Sequence, residues 1–344
     1  LNFQVPAPTI TQSIKFKHKD KIMLLGSCFT EHMSSRLQQF KFDVCANPHG
    51  ILFNPLSIVK SLRQYLKNED IPASGLFYLN EIWNHWDFHS RFSEINKEQA
   101  LLEMNASIQK AATFLKDADW LVITLGSAFQ YFLKPNCVFH NSKSLAVANC
   151  HRAPANSFEK RMLTIQEIIN DFENVFQSIK SQNPKVKVLF TVSPVRHIRD
   201  GLIENNRSKA RLLEVVHHFV HRENNYFYFP AYELVIDVLR DYRFYDLDMV
   251  HPNYQATQFV WEQFTENFMD SVTQKLLVEL KDIDIAFHHK SRFPATEAHQ
   301  KFKQSYLRKI ELLKARFPYL NLEKERQYFQ GSDDMRQIAE TVNR

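Results

Sequence analysis

The 344-residue chain contains no run of about 18 or more apolar residues. Leu1 to Asp20 mix Pro, Thr and Lys where a secretory leader would place a basic head and an apolar stretch. Neither a membrane span nor a signal peptide is expected. Cysteine is scarce: Cys28, Cys45, Cys137 and Cys150 are too few and too dispersed to staple a chain of this size, which predicts a reducing, cytoplasmic setting. There is also no Lys/Arg run of the kind that tracks phosphates. The 43 basic and 38 acidic residues are spread along the sequence, for a formal charge of +5. Nucleic acid and membrane are therefore not expected partners. No internal repeat is visible, and no pattern encodes an oligomeric state.

What is present is the composition of a globular chain with a real core, 44% hydrophobic and 24% charged. Lys21 to Leu25 is a short apolar run closed by Gly26, and Phe29 to Phe40 then shows helical periodicity. A second strand over Phe42 to Cys45 leads to a helix opened by Pro55 and running to about Lys67. Residues 71–93 are aromatic and irregular and read as an inserted hairpin or loop over the strand ends, followed by a helix over Lys97 to Lys116. Trp120 to Leu125 is a continuous apolar run, as a parallel strand covered on both faces requires. Helical patterns over Thr164 to Ser181, Asn205 to Arg222 and Ala231 to Arg240 alternate with strands over Val186 to Val192 and Tyr226 to Phe229. Five strands alternating with helices predict an α/β, doubly wound, open parallel sheet of flavodoxin-like order. Tyr254 to Leu280 reads as one closing amphipathic helix. The α/β domain is drawn over residues 1–281 and a helical C-terminal extension over 282–344.

In such a sheet ligands bind beyond the carboxyl ends of the strands. The residues delivered there are Gly26-Ser27-Cys28, Asn47-Pro48-His49-Gly50, Gly126-Ser127-Ala128, Ser193-Pro194-Val195-Arg196-His197 and Asp248-Met249-Val250-His251-Pro252. Cys28 stands at a helix N-terminus, where a thiol pKa is expected to fall, and Asp248-x-x-His251 lets a carboxylate orient an imidazole. The alternatives are ordinary ones: Cys28 as a small buried hydrophobe, Ser27 as a helix cap, Gly50 as a turn glycine. Arg196 and His197 suit a carboxylate or phosphate on a substrate, or an internal ion pair bracing their loop, and Asn205, Asn206 and Lys209 share that ambiguity. His85-x-x-x-His89, Cys137-x-x-His140 and Cys150-His151 do not form a four-ligand zinc set, and neither a metal nor a cofactor is expected.

Leu25-Gly-Ser-Cys-Phe-Thr30, Asn47-Pro-His-Gly-Ile-Leu-Phe-Asn-Pro55, Thr124-Leu-Gly-Ser-Ala128, Ser193-Pro-Val-Arg-His197 and Asp248-x-x-His251-Pro together resemble the GSCFA-domain family. The resemblance covers roughly Lys15 to Lys275. That family is similar to the SGNH, or GDSL, hydrolases, which implies a three-layer α/β/α sandwich and, by analogy, ester hydrolysis or acyl transfer. Gapless superposition on the Gly-Asp-Ser block puts Cys28 at the nucleophile position and Ser27 where an Asp usually stands; a one-residue shift makes Ser27 the nucleophile. Asp248 and His251 match the last block. The third block normally carries Gly-x-Asn, whose amide holds the oxyanion, whereas this chain has Ala128. Ser127, Asn47 or backbone amides at Gly126, Gly50 and Cys28 would then have to serve. The implied function is an esterase or acyltransferase acting on a small-molecule or carbohydrate ester. The rivals are a binding module for a glycan or anionic metabolite, and a thiol redox sensor.

Overall fold

The computed structural model describes residues 5–10, 14–135, 137–138, 144–222 and 225–331. Ten strands follow in chain order: β1 Lys21–Gly26, β2 Asp43–Ala46, β3 Phe77–Leu79, β4 Ile82–Asn84, β5 Trp120–Leu125, β6 Phe129–Leu133, β7 Leu145–Val147, β8 Phe158–Met162, β9 Lys187–Val192 and β10 Tyr226–Tyr228. The helices are α1 Cys28–Gln39, α2 Pro55–Lys67, α3 Lys97–Asp117, α4 Ile165–Gln182, α5 Leu202–Arg222, α6 Ala231–Glu233, α7 Tyr254–Phe268, α8 Ser271–His288, α9 Glu297–Arg316 and α10 Glu323–Gln330. Five strands pair in parallel in the order β10-β9-β5-β1-β2. Counted alone in chain order, these are 2-1-3-4-5, the flavodoxin-like arrangement.

Alternation along the strands explains why this sheet is central. Met23, Leu25, Leu121, Ile123, Val188 and Phe190 join one cluster with side chains of α2, α3, α4 and α5. The intervening Ile22, Leu24, Trp120 and Leu189 are buried as well, so both faces are covered. Local chemistry sets the helix starts. Asn54 Oδ1 accepts the Ser57 N–H at 2.9 Å with Pro55 in the first turn of α2, and Thr164 and Glu167 form a capping box on α4. Gly26 ends β1 where a Cβ would lie 2.4 Å from the Thr124 carbonyl oxygen, so only glycine lets β1 approach β5 and turn into α1.

The structure differs from the sequence reading in three places. Residues 129–162 contribute an antiparallel sheet, β7-β6-β8, with its own cluster of Trp86, Leu133, Val147 and Phe158. Its short, amphipathic strands lack the long apolar runs that mark the main sheet. The single helix read over Tyr254 to Leu280 is two, because Asp270 is in extended backbone and its carboxylate accepts the Thr273 N–H as the N-cap of α8. Ala231 to Arg240, read as one helix, is a single α turn that widens into a π-helix over Leu234–Leu239.

The chain divides into two compact units. The first comprises Asp20–Arg36 and Asp43–Asn267 with part of the N-terminal segment, and it holds the parallel sheet. The second gathers the segment through Phe16 and His18, Leu37–Phe42 and the helices from Phe268 onward. In it Phe16 pairs with Met269, the His18 backbone N–H donates to Thr273 Oγ1 at 2.9 Å, and Arg316 pairs with Glu279 at 2.7 Å. Among the described residues no helix is long and apolar enough to cross a membrane.

Candidate active site

Because the five strands are parallel, their carboxyl ends share one edge, and Cys28 stands there as the first residue of α1. Ser27, 5% exposed, turns its hydroxyl onto the Phe29 N–H at 3.3 Å and its carbonyl onto the Thr30 N–H at 2.8 Å, the geometry of a helix cap. The expected fall in the Cys28 pKa does not occur. Burial pushes the thiol up, its own backbone N–H opposes this, and Glu31 pushes it further up. Desolvation therefore outweighs the helix terminus.

Asp248 and His251 sit in a tight loop. Tyr245 bridges to Pro252, the Asp246 N–H donates to the His251 carbonyl at 2.8 Å, and Met249 takes a φ of 58° at the turn. One Asp248 oxygen accepts the Val250 and His251 backbone N–H groups at 2.9 and 3.0 Å, and the other meets His251 Nδ1 at 2.6 Å. The His251 backbone N–H, then its ring and the Val250 N–H, hold the Asp248 carboxyl at about 2. The His251 Nε2 has no hydrogen-bond partner among the described residues.

Side-chain contacts tie the helix that follows this loop to α1. Arg36, eight residues after Cys28, donates to Gln258, seven residues after His251, at 2.8 Å, and its guanidinium lies 5.2 Å from the Tyr254 ring centroid. His32, one turn beyond Cys28, has its pKa lowered by burial and then by His251. Sequence reasoning passed over His32, although its i+4 spacing from Cys28 puts both on one helix face. No hydrogen bond joins Cys28 or Ser27 to His251.

Of the expected oxyanion donors, all but the Cys28 backbone N–H already have partners among the described residues. Asn47 Nδ2 donates to Glu31 at 2.5 Å while its Oδ1 accepts the Gly26 N–H at 2.8 Å, so this side chain braces the exit of β1. The Gly50 N–H donates to the Asn47 carbonyl at 2.7 Å, and a Cβ at Gly50, whose φ is +79°, would lie 2.2 Å from His89 Cβ. Packing and the positive φ are sufficient to require glycine there. The Gly126 and Ser127 N–H groups both donate to the Phe53 carbonyl, at 2.8 and 2.9 Å. Ser127 Oγ is buried against Ser208 Oγ at 3.4 Å and accepts the Phe129 N–H.

Arg196 forms no ion pair with a described residue; its guanidinium lies 4.7 Å from the Tyr245 ring centroid and 5.6 Å from that of Tyr242. The His197 backbone N–H is held by Asn205 Oδ1 at 2.9 Å, and its ring lies 5.3 Å from that of Phe53. Lys209 is buried and donates to the Gly126 and Ser193 carbonyls at 2.6 and 2.7 Å, tying together the exits of β5 and β9. Burial brings its pKa down to about 7.

The aromatic insertion is structural at its centre: Trp86 stacks on Phe77 at 3.8 Å and is 7% exposed. Its Arg91 reaches the Asn47 carbonyl and Glu31. His85 and His89 each accept a backbone N–H through Nδ1, and His151 Nε2 pairs with the His85 carbonyl. His140 lies outside the described residues. Among the described residues no group of three or more His, Cys, Asp and Glu could hold a metal.

No curated protein matches the chain. The GSCFA domain protein C-terminal domain matches residues 280–332. The GSCFA family matches residues 21–264, a span that contains Cys28, all five parallel strands and the Asp248–His251 loop, and the chain belongs to that family.

Proposed function

We infer that this protein is an acyl-transferring enzyme, a hydrolase or acyltransferase acting on an ester or thioester of a small molecule or carbohydrate. The observation that carries the reading is the Asp248–His251 pair, with Nδ1 fixed at 2.6 Å and Nε2 unengaged, at the head of a helix tied to the one Cys28 begins. The capping role of the Ser27 hydroxyl favours Cys28 over Ser27 as nucleophile.

In the first half-reaction Cys28 Sγ adds to the carbonyl carbon as its proton moves to His251 Nε2. The tetrahedral intermediate then collapses, expelling the alkoxide or thiolate with that proton and leaving a thioester on Cys28. In the second, water or a sugar hydroxyl gives its proton to Nε2, adds to the thioester and releases the thiol, which recovers the proton. Asp248 fixes the Nδ1–H tautomer and stabilises the imidazolium. Since burial raises the Cys28 pKa, the thiol reacts as a serine would, losing its proton during attack rather than before it.

The test is incubation with p-nitrophenyl acetate, acid quench and peptide mass spectrometry. An acetyl adduct on Cys28 that disappears in His251→Ala, and turnover lowered at least a hundredfold in Asp248→Asn, are expected. Full activity in both variants overturns the reading. A second reading, a binding module, draws on the engagement of the expected oxyanion donors, with Arg196 available to an anionic ligand. Thermal stabilisation by a glycan or anionic metabolite, without turnover, would favour it.

A further inference from the structure

The acyl-transfer reading leaves a gap: beside the Cys28 backbone N–H, the oxyanion that develops there needs a second donor. The amides of Gly50, Gly126 and Ser127 have their hydrogens engaged, the Asn47 side chain is held by Glu31 and the Gly26 N–H, and Ala128 has no polar side chain. We propose that His197 fills this gap, its imidazole donating a hydrogen bond to the substrate's carbonyl oxygen as that oxygen becomes anionic. The proposal rests on the acyl-transfer reading and adds a catalytic residue to the same site.

Strand register supplies the first argument. Gly26 pairs with Thr124 across the β1–β5 ladder, and Cys28 and Gly126 each lie two residues beyond that pair. With adjacent strands about 4.8 Å apart, the two exits are neighbours. His197 Nε2 lies 3.5 Å from the position a Cβ would occupy on Gly126, so this ring nitrogen stands directly over the β5 exit. The absent side chain leaves it room.

The second argument is that the ring is placed and unspent. Asn205 holds the His197 backbone, and Phe53 packs beside the imidazole. Neither ring nitrogen has a hydrogen-bond partner among the described residues. Its charge state suits the task as well. Burial, then Lys209, with Lys160 and His251, bring its pKa down to about 4 against the pull of Asp200, so near neutral pH the ring is uncharged and keeps one N–H. A neutral imidazole donates to an oxyanion without surrendering its proton. Nothing engages both nitrogens, so the Nε2–H tautomer is open to it.

The experiment uses the full chain with p-nitrophenyl acetate, following the rate of the Cys28 adduct by quenched mass spectrometry and the kcat/KM split by p-nitrophenol release. His197→Ala is expected to slow acylation by on the order of a hundredfold with KM nearly unchanged. His197→Gln, which restores an N–H donor, is expected to recover about tenfold of that loss. A His251-dependent adduct that forms equally fast in His197→Ala overturns the role of His197 and leaves the acyl-transfer reading standing. Equal loss in the Ala and Gln variants also overturns it, since the residue would then serve only to shape the loop. If the unaltered chain forms no adduct and releases no p-nitrophenol, the acyl-transfer reading falls and this role falls with it.

Discussion

At Cys28 two local forces compete, the exposed N–H groups of a helix start, which favour a thiolate, and the removal of the sulfur from water, which disfavours it. Burial wins, so less thiolate is present at neutral pH than in an unstructured cysteine. Alkylation of Cys28 by iodoacetamide at pH 7.5, mapped by peptide, is accordingly expected to run more slowly than that of an unstructured peptide and to keep accelerating as the pH rises past 9. A plateau near neutrality would mean a preformed thiolate instead. The same sign disfavours a redox sensor, because such cysteines combine exposure with a low pKa, and burial pushes Cys45 and Cys150 up to about 11. Sequence spacing made Asp248 and His251 legible, since three residues suffice for a loop carboxylate to reach its own imidazole. The engagement of Asn47 and Gly50 was not legible, because their partners, Glu31 and His89, come from other elements.

Elements carry the site by their ends. The α2 cap illustrates this: Asn54 is buried, its side chain fixes the first turn, and the preceding carbonyl, that of Phe53, receives both N–H groups at the β5 exit. Asn54→Ala should lower stability by about 1 kcal/mol, with Asn54→Ser close to the original. Urea denaturation of the three proteins checks this, and equal midpoints would show that the cap carries no net weight. The main strands could be read because their apolar runs lie between capped helices. β6, β7 and β8 could not, since β7 is only three residues long, β8 is charged at its centre, and their pairing depends on partners up to about thirty residues away. The break at Asp270 was hidden for a similar reason, as apolar periodicity continues on both sides of the cap.

For the molecule as a whole, buried neutral histidine links stability to acidity. His49 is fully enclosed between Tyr65 and Gln64, and burial lowers its pKa to about 4. An unfolded chain takes up this proton near 6.5 and the folded chain does not, so stability is intact above about pH 6.5 and falls as the pH drops toward 4. The full span is worth about 3 kcal/mol for this one residue. Urea midpoints measured from pH 7.5 to 4.5 should decline, and His49→Gln should flatten the curve; an unchanged slope would place the acid sensitivity elsewhere.

The Arg36–Gln258 contact ties α1, which Cys28 begins, to α7, which follows His251, although Cys28 and His251 stand 223 residues apart in the sequence. In the proposed mechanism, a ribosome-bound intermediate that has emerged only as far as β10 therefore carries a nucleophile with no base, and a chain cut in the Tyr245–Pro252 loop loses the coupling although its sheet is whole. On that mechanism chemical competence arrives only with the Asp248–His251 loop, so a cell that assayed the proposed activity would be assaying completion of the α/β domain.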